Sequence, residues 1–177
     1  MNLQAKRVAV GTRSCGRARE LYLQAFPKEE RFPFALLQAY SAVPSVDFWA
    51  FYDVGRFSGM AYVVRGESVA FVLYLAVAPQ ARGRGVGSEM LGWLKARYAP
   101  LTLTLNIEPV VTTAPNYVER AKRLAFYAKN GFHLTGYALD SGCMTYHILA
   151  TTTDFDPRCL ATVRPKWMPA AKIFPIN

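Results

Sequence analysis

Three groups of residues in this chain have the types and spacings that chemistry needs. The first is Arg82-Gly83-Arg84-Gly85-Val86-Gly87-Ser88, with glycines at alternate positions. Glycines so spaced leave successive backbone amides unobstructed by Cβ atoms, and amides of that kind hold anions. Ser88 can add a hydroxyl. The second group is Asn116, Arg120, Arg123 and Tyr127, whose spacings of four, three and four place them along one face of a helix. Its phenol can move a proton. The third is a set of carboxylates, Glu108 after a predicted strand and Glu29-Glu30 in a charged link, able to take a proton from an amine or to hold a cation. A metal site is not expected, because Cys15, Cys143, Cys159, His133 and His147 show no ligand spacing.

The elements that position the first group can be read locally. Val69 to Ala78 is an unbroken apolar run ended by Pro79, short enough to be a strand buried on both faces. After the glycines, Leu91, Leu94 and Tyr98 recur at helical spacing, which predicts a helix over 88–98. Strand, glycine loop and helix N-terminus together make an anion site, most often for phosphate. A P-loop would need Lys-Ser/Thr after the last glycine, and here Ser88-Glu89 follows. A dinucleotide fingerprint would need G-x-G-x-x-G early in a βαβ unit, whereas this spacing is G-x-G-x-G. The remaining pattern, R-x-x-G-x-G preceded by Val77-Ala78-Pro79, resembles the acetyl-CoA pyrophosphate loop of the GNAT superfamily of N-acetyltransferases.

Residues 116–132 (N-Y-V-E-R-A-K-R-L-A-F-Y-A-K-N-G-F) resemble that superfamily's other signature, a helix ending in Tyr followed by Gly-Phe. Gly131 falls where a left-handed helix cap belongs. The resemblance spans residues 68–150. It implies an α/β fold of the α+β type, a mixed central sheet of about six to seven strands with a splayed parallel pair, flanked by about four helices. It also implies acetyl-CoA as co-substrate and direct transfer to an amine in a ternary complex. In that reading Leu75, Ala76 and Val77 pair with the pantetheine amides, and Arg82 to Ser88 (Arg82, Gly83, Arg84, Gly85, Val86, Gly87, Ser88) take the pyrophosphate. Asn116 lies on the cofactor side, and Tyr127 assists the departing thiolate. Many relatives carry Asn and Ala where this chain has Arg120 and Arg123. These arginines are expected either to contact cofactor phosphates or to pair with Glu108. The base is expected to be Glu108, acting through water, or Glu29 or Glu30 from the opposite wall, and Glu29 and Glu30 are also the candidates for holding a cationic acceptor.

The net charge of +9 tests whether another partner is needed. Segments 81–98 and 116–130 together carry a net charge of +6, where the resemblance places a polyanionic cofactor. Residues 1–20 add four more without such an explanation, and a basic solvated surface accounts for them. Nucleic acid is not expected as a partner. No apolar run reaches the roughly 18 residues of a membrane span, and three scattered cysteines fit free thiols in a cytoplasmic protein. The expected acceptor is a small-molecule amine. The alternatives are an enzyme acetylating protein N-termini or lysines, and a non-catalytic acyl-CoA-binding or sensor module.

In chain order, Val8-Ala9-Val10 reads as a first strand, 14–25 as a helix stopped by Pro27, and 34–40 as a second helix. Segments 46–52, 57–64 and the run from Val69 read as an antiparallel meander. Leu101 to Ile107 is the next strand, and 132–137 with 144–150 make a hairpin. Residues 1–150 are expected to form the acetyltransferase domain. Residues 151–177 should be an extension with a short helix after Asp156-Pro157 and an irregular tail. Its Trp167, Met168, Ile173 and Phe174 should pack on the domain or on the other subunit of a homodimer.

Overall fold

Why the strand Val46–Asp53 is apolar on both faces follows from what covers it. The computed structural model describes residues 3–142, 144–163 and 171–176. The chain divides into two compact units, Met1–Arg65 with Val72–Arg97, and Gly66–Phe71 with Tyr98–Asn177. In the first unit, β1 (Leu3–Arg7) leads to α1 (Arg13–Ala25) and α2 (Phe34–Tyr40), then β2 (Val46–Asp53), β3 (Arg56–Arg65), β4 (Val69–Val77) from Val72 onward, and α3 (Val86–Tyr98) as far as Arg97. The strand order is β1-β2-β3-β4, with β1–β2 and β2–β3 antiparallel. Phe48 and Tyr62 face α2, where Phe34 meets Phe48 edge-on at 5.9 Å and the Tyr62 hydroxyl donates to Leu37 O at 3.0 Å. Trp49 and Phe51 face α3, meeting Trp93 at 5.0 and 5.4 Å. Helices on both faces thus require apolar residues at odd and even positions alike.

Gly59 of β3 sets how closely α3 seats. A Cβ there would lie 2.7 Å from both Ala76 O and Met90 Sδ.

The first strand is not where the apolar triplet Val8-Ala9-Val10 predicts it. Leu3–Arg7 pairs instead with Asp53–Trp49, and Val8 contributes one last bond to Phe48 O at 2.8 Å. The chain then turns, because Thr12 caps α1 by accepting from Cys15 N at 3.3 Å, and Val10 is left exposed.

The second unit holds β5 (Thr102–Ile107), α4 (Tyr117–Lys129), β6 (His133–Asp140), β7 (Thr145–Ala150), a 3-10 turn (Pro157–Val163) and β8 (Lys172–Pro175). Its strands run β5-β7-β6-β8, each neighbour antiparallel. Eight strands are therefore present among the described residues, beyond the six to seven expected. The extra strand corrects the expected irregular tail: Lys172–Pro175 adds to β6, with Pro175 at an edge where its missing N–H is tolerated. Trp167, Met168 and Cys143 lie outside the described residues.

Candidate functional site

The glycine loop is built within the first unit. β4 ends at Val77, a 3-10 turn (Pro79–Ala81) follows, and Ala78 N bonds Ser58 O at 2.9 Å. Gly83 (φ 72°) and Gly85 (φ 81°) both occupy the left-handed region that L side chains avoid. The α3 ladder begins with Glu89 N donating to Gly85 O at 3.1 Å, so the amides of Val86, Gly87 and Ser88 precede it. A Cβ on Gly83 would meet nothing within 4 Å, which leaves the loop's outer side open. Open, left-handed glycines before the first turn of a helix fit a pyrophosphate. Arg82 and Arg84 are exposed but bonded to protein: Arg82 Nε donates to Val77 O at 3.2 Å, and Arg84 Nη2 to Asp53 Oδ2 at 3.2 Å. Asp53 reads as a plain turn residue in sequence, where nothing local links it to Arg84. Leu75 and Val77 are half-buried on β4 and Ala76 is buried.

The segment carrying Glu29 and Glu30 is fixed by two phenols that sequence reasoning did not single out. Tyr74 of β4 donates to Glu30 O at 2.8 Å and accepts from Phe32 N at 3.3 Å. Tyr22 of α1 donates to Phe32 O at 2.9 Å, its ring 4.9 Å from that of Tyr74. Burial pushes both phenols above the usual tyrosine range, so they stay protonated as donors. Glu29 is exposed and Glu30 half-buried on this turn, Lys28–Glu30.

In the second unit the predicted helical face assembles around Glu108. Arg120 Nη2 lies 2.7 Å from Glu108 Oε1, and Arg123 Nη1 donates to Oε2 at 2.8 Å. Arg120 also bonds Asn116 Oδ1 at 2.7 Å and Pro109 O at 2.9 Å, and Asn116 Nδ2 is 3.4 Å from Glu108. Both arginines thus pair with Glu108, one of the two roles expected for them. Both oxygens of Glu108, an expected base, accept from guanidiniums in a buried position. The network ties the end of β5 to α4.

Tyr127 is buried between Phe126 and Phe132, with ring centroids at 5.2 and 5.8 Å. Burial pushes its phenol up to about 12, while the charge of Arg123 pulls the other way. The Gly-Phe after the helix has a structural cause. Gly131 takes φ 77°, its N bonds Ala128 O at 3.0 Å, and Phe132 N returns to Tyr127 O at 3.1 Å. That cap folds Phe132 onto the phenol. Asn106 Oδ1, two residues before Glu108, is buried without a partner.

A family model for the GNAT acetyltransferase domain matches residues 44–134, over half of the chain. An acetyltransferase of the GNAT family from Bacteroides thetaiotaomicron superposes with a TM-score of 0.74 at 18% identity, covering 88% of this chain and 89% of its own. An aminoglycoside 6′-N-acetyltransferase complexed with coenzyme A gives 0.63 at 16% identity, over 87% and 99%. The ribosomal-protein-S18-alanine N-acetyltransferase of Escherichia coli gives 0.60 at 16%, over 88% and 96%. No curated protein matches the sequence significantly. The expected mixed α/β fold is thereby found.

Proposed function

This chain belongs to the GNAT acetyltransferases, and on that premise we propose that it transfers an acetyl group from acetyl-CoA to a primary amine of a small molecule, directly and in a ternary complex. The observation that carries the reading is the loop Arg82–Ser88, whose left-handed glycines and unladdered amides suit a pyrophosphate. Acetyl-CoA, when bound, supplies the activated acetyl thioester. Leu75, Ala76 and Val77 offer strand backbone for the pantetheine amides, and one of their N–H groups would stabilise the developing oxyanion.

Tyr127 then acts on the sulfur that leaves. A thiol has a pKa near 8.5, against about 12 for this phenol. Complete transfer of the phenolic proton is uphill by roughly 5 kcal/mol. Hydrogen-bond donation to the developing thiolate is therefore its role. Arg123, one turn away, strengthens that donor by opposing the effect of burial. Glu29 and Glu30 are proposed to hold the cationic acceptor and, through water, to take the proton its ammonium must lose before the nitrogen attacks. The proton shed from nitrogen after attack ends on the departing thiolate. Asn116, Arg120 and Glu108 are proposed to hold α4 in register, with any phosphate contact by Arg120 or Arg123 secondary to that.

The small-molecule acceptor draws support from the aminoglycoside enzyme among the similar folds, while the S18-alanine enzyme keeps the protein-directed alternative open to test. We place the enzyme in the cytoplasm on its free thiols Cys15 and Cys159. No helix among the described residues is long and apolar enough to cross a membrane. A homodimer through β8 is proposed from its place at the end of the strand order and from the exposed Phe174. The deciding experiment is thiol release from acetyl-CoA across polyamines, aminoglycosides, amino acids and peptide N-termini. Turnover confined to small amines supports the proposal. Turnover confined to peptides overturns the acceptor class. Binding without any turnover favours a sensor.

A further inference from the structure

We propose that Asp53 is a positioning residue for the glycine loop, a buried carboxylate at the β2–β3 turn that holds Arg84 and so pre-forms the anion-binding backbone from Gly83 to Ser88. The inference rests on the reading that this loop takes the pyrophosphate of CoA, and it adds a residue that the loop's own sequence does not contain.

Asp53 is 6% exposed, whereas the Arg84 side chain that reaches it is 58% exposed. One carboxylate oxygen, Oδ2, meets Arg84 Nη2 at 3.2 Å, and the other, Oδ1, is buried without any hydrogen-bond partner. A buried, half-satisfied carboxylate is destabilising in itself, so it needs an explanation outside folding. The turn that presents it is strained as well. Val54 has φ 47°, in the left-handed region that a β-branched side chain avoids, and Gly55 has φ 74°. These are the two positive φ values of a two-residue hairpin between Asp53 and Arg56, which pair directly. Asp53 N also donates to Ser58 Oγ at 3.2 Å, fixing the carboxylate's root.

What Asp53 holds lies between the two left-handed glycines. Gly83 and Gly85 give the loop its shape and also its freedom, because glycine loses the most conformational entropy on ordering. Arg84 is the residue between them with a side chain to anchor. With Arg82 bonded to Val77 O and Arg84 to Asp53, both loop arginines serve the loop's geometry. The incoming phosphates are then left to the amides and the α3 N-terminus. Order imposed before binding lowers the entropy lost on binding.

A rival role gives the opposite sign. If Arg84 mainly contacts phosphate, Asp53 competes for it, and removing the carboxylate would tighten binding. The test is calorimetric titration of the full chain with CoA, for wild type, Asp53→Asn, Arg84→Ala and the double variant, with steady-state KM and kcat for acetyl-CoA. The positioning role predicts about tenfold weaker CoA binding in each single variant. The double variant should be no weaker than either single one, and KM should rise while kcat stays within twofold. Arg84→Ala, changed at an exposed side chain, keeps the test available if Asp53→Asn folds poorly. In that case Arg84→Lys, which retains one bond to Asp53, should recover part of the affinity. Tighter or unchanged binding in Asp53→Asn, additive losses in the double variant, or no recovery with Arg84→Lys overturns the inference. Wild type that fails to bind CoA removes the loop assignment itself, and this inference with it.

Discussion

Arg123 donates to Glu108 Oε2 at 2.8 Å and precedes Tyr127 by one helical turn, so a single guanidinium links the end of β5 to the buried phenol. Glu108 carries one negative charge against two guanidiniums, leaving the cluster net positive next to Tyr127. That excess favours a hydrogen-bond donor to a developing negative charge on this face.

Glu108→Ala should therefore act on stability first. It strands Arg120, which is 17% exposed, and releases Arg123. Breaking a buried ion pair costs about 3 to 5 kcal/mol, and the exposure of Arg123 argues for the low end, about 3 kcal/mol. Urea denaturation measures it. A loss under 1 kcal/mol would mean that the network does not hold α4.

The phenols predict an alkaline limb of stability. Tyr127 is raised from 10.0 to about 12 on folding, so the native state keeps a proton that the unfolded chain releases. A raised folded value gives stability that is complete below pH 10 and is lost as pH climbs towards 12. At 1.36 kcal/mol per unit this is about 3 kcal/mol. Tyr22, Tyr62 and Tyr74, also raised by burial, deepen the same limb. Urea midpoints measured from pH 8 to 12 should be flat and then fall, and Tyr127→Phe should fall less. An equal fall in the variant would show that Tyr127 does not titrate in this way.

Gly59→Ala tests how α3 is seated. The added methyl meets Ala76 O, a backbone atom that cannot swing aside, as well as the mobile Met90 Sδ. Overpacking of this kind costs about 1 to 3 kcal/mol. Because α3 carries the glycine loop at its N-terminus, CoA binding should weaken together with stability. A variant as stable as wild type would show that the sheet yields.

How much of this was legible in the sequence depended on range. The glycine loop, the Tyr127 helix with its Gly131 cap, and most strands are local patterns, and they stand where the residues predicted them. The face Asn116–Arg120–Arg123–Tyr127 was visible as spacing, with Glu108 already one of two partners weighed for its arginines. Asp53 and Tyr74 were invisible, because their contacts are long-range. A carboxylate bonding an arginine 31 residues away, or a phenol bonding a backbone carbonyl 44 residues away, leaves no periodic trace. The errors at the ends have a different origin. Val8-Ala9-Val10 has the stronger strand composition, yet pairing with Trp49–Asp53 selects Leu3–Arg7. A tail punctuated by prolines still forms β8, because an edge strand can do without one donor.

The loop makes a prediction about ligand response. CoA should raise the melting temperature in proportion to the logarithm of its concentration, since it binds the native state only. Arg82→Ala combined with Gly85→Glu should abolish that rise. The first change removes the tie to Val77 O, and the second puts a carboxylate where phosphate is expected. A retained shift in the double variant would move the phosphate site elsewhere.

The central claim, an acetyltransferase whose buried Tyr127 assists the leaving thiolate, is tested most directly by steady-state thiol release from acetyl-CoA, with the best acceptor, in wild type and Tyr127→Phe. Loss of acid–base assistance spans 10²–10⁴. A phenol that donates a hydrogen bond rather than its proton places the expected fall in kcat near the bottom, about 10²-fold, with KM for acetyl-CoA nearly unchanged because the ring remains packed between Phe126 and Phe132. An unchanged kcat in Tyr127→Phe would contradict the account.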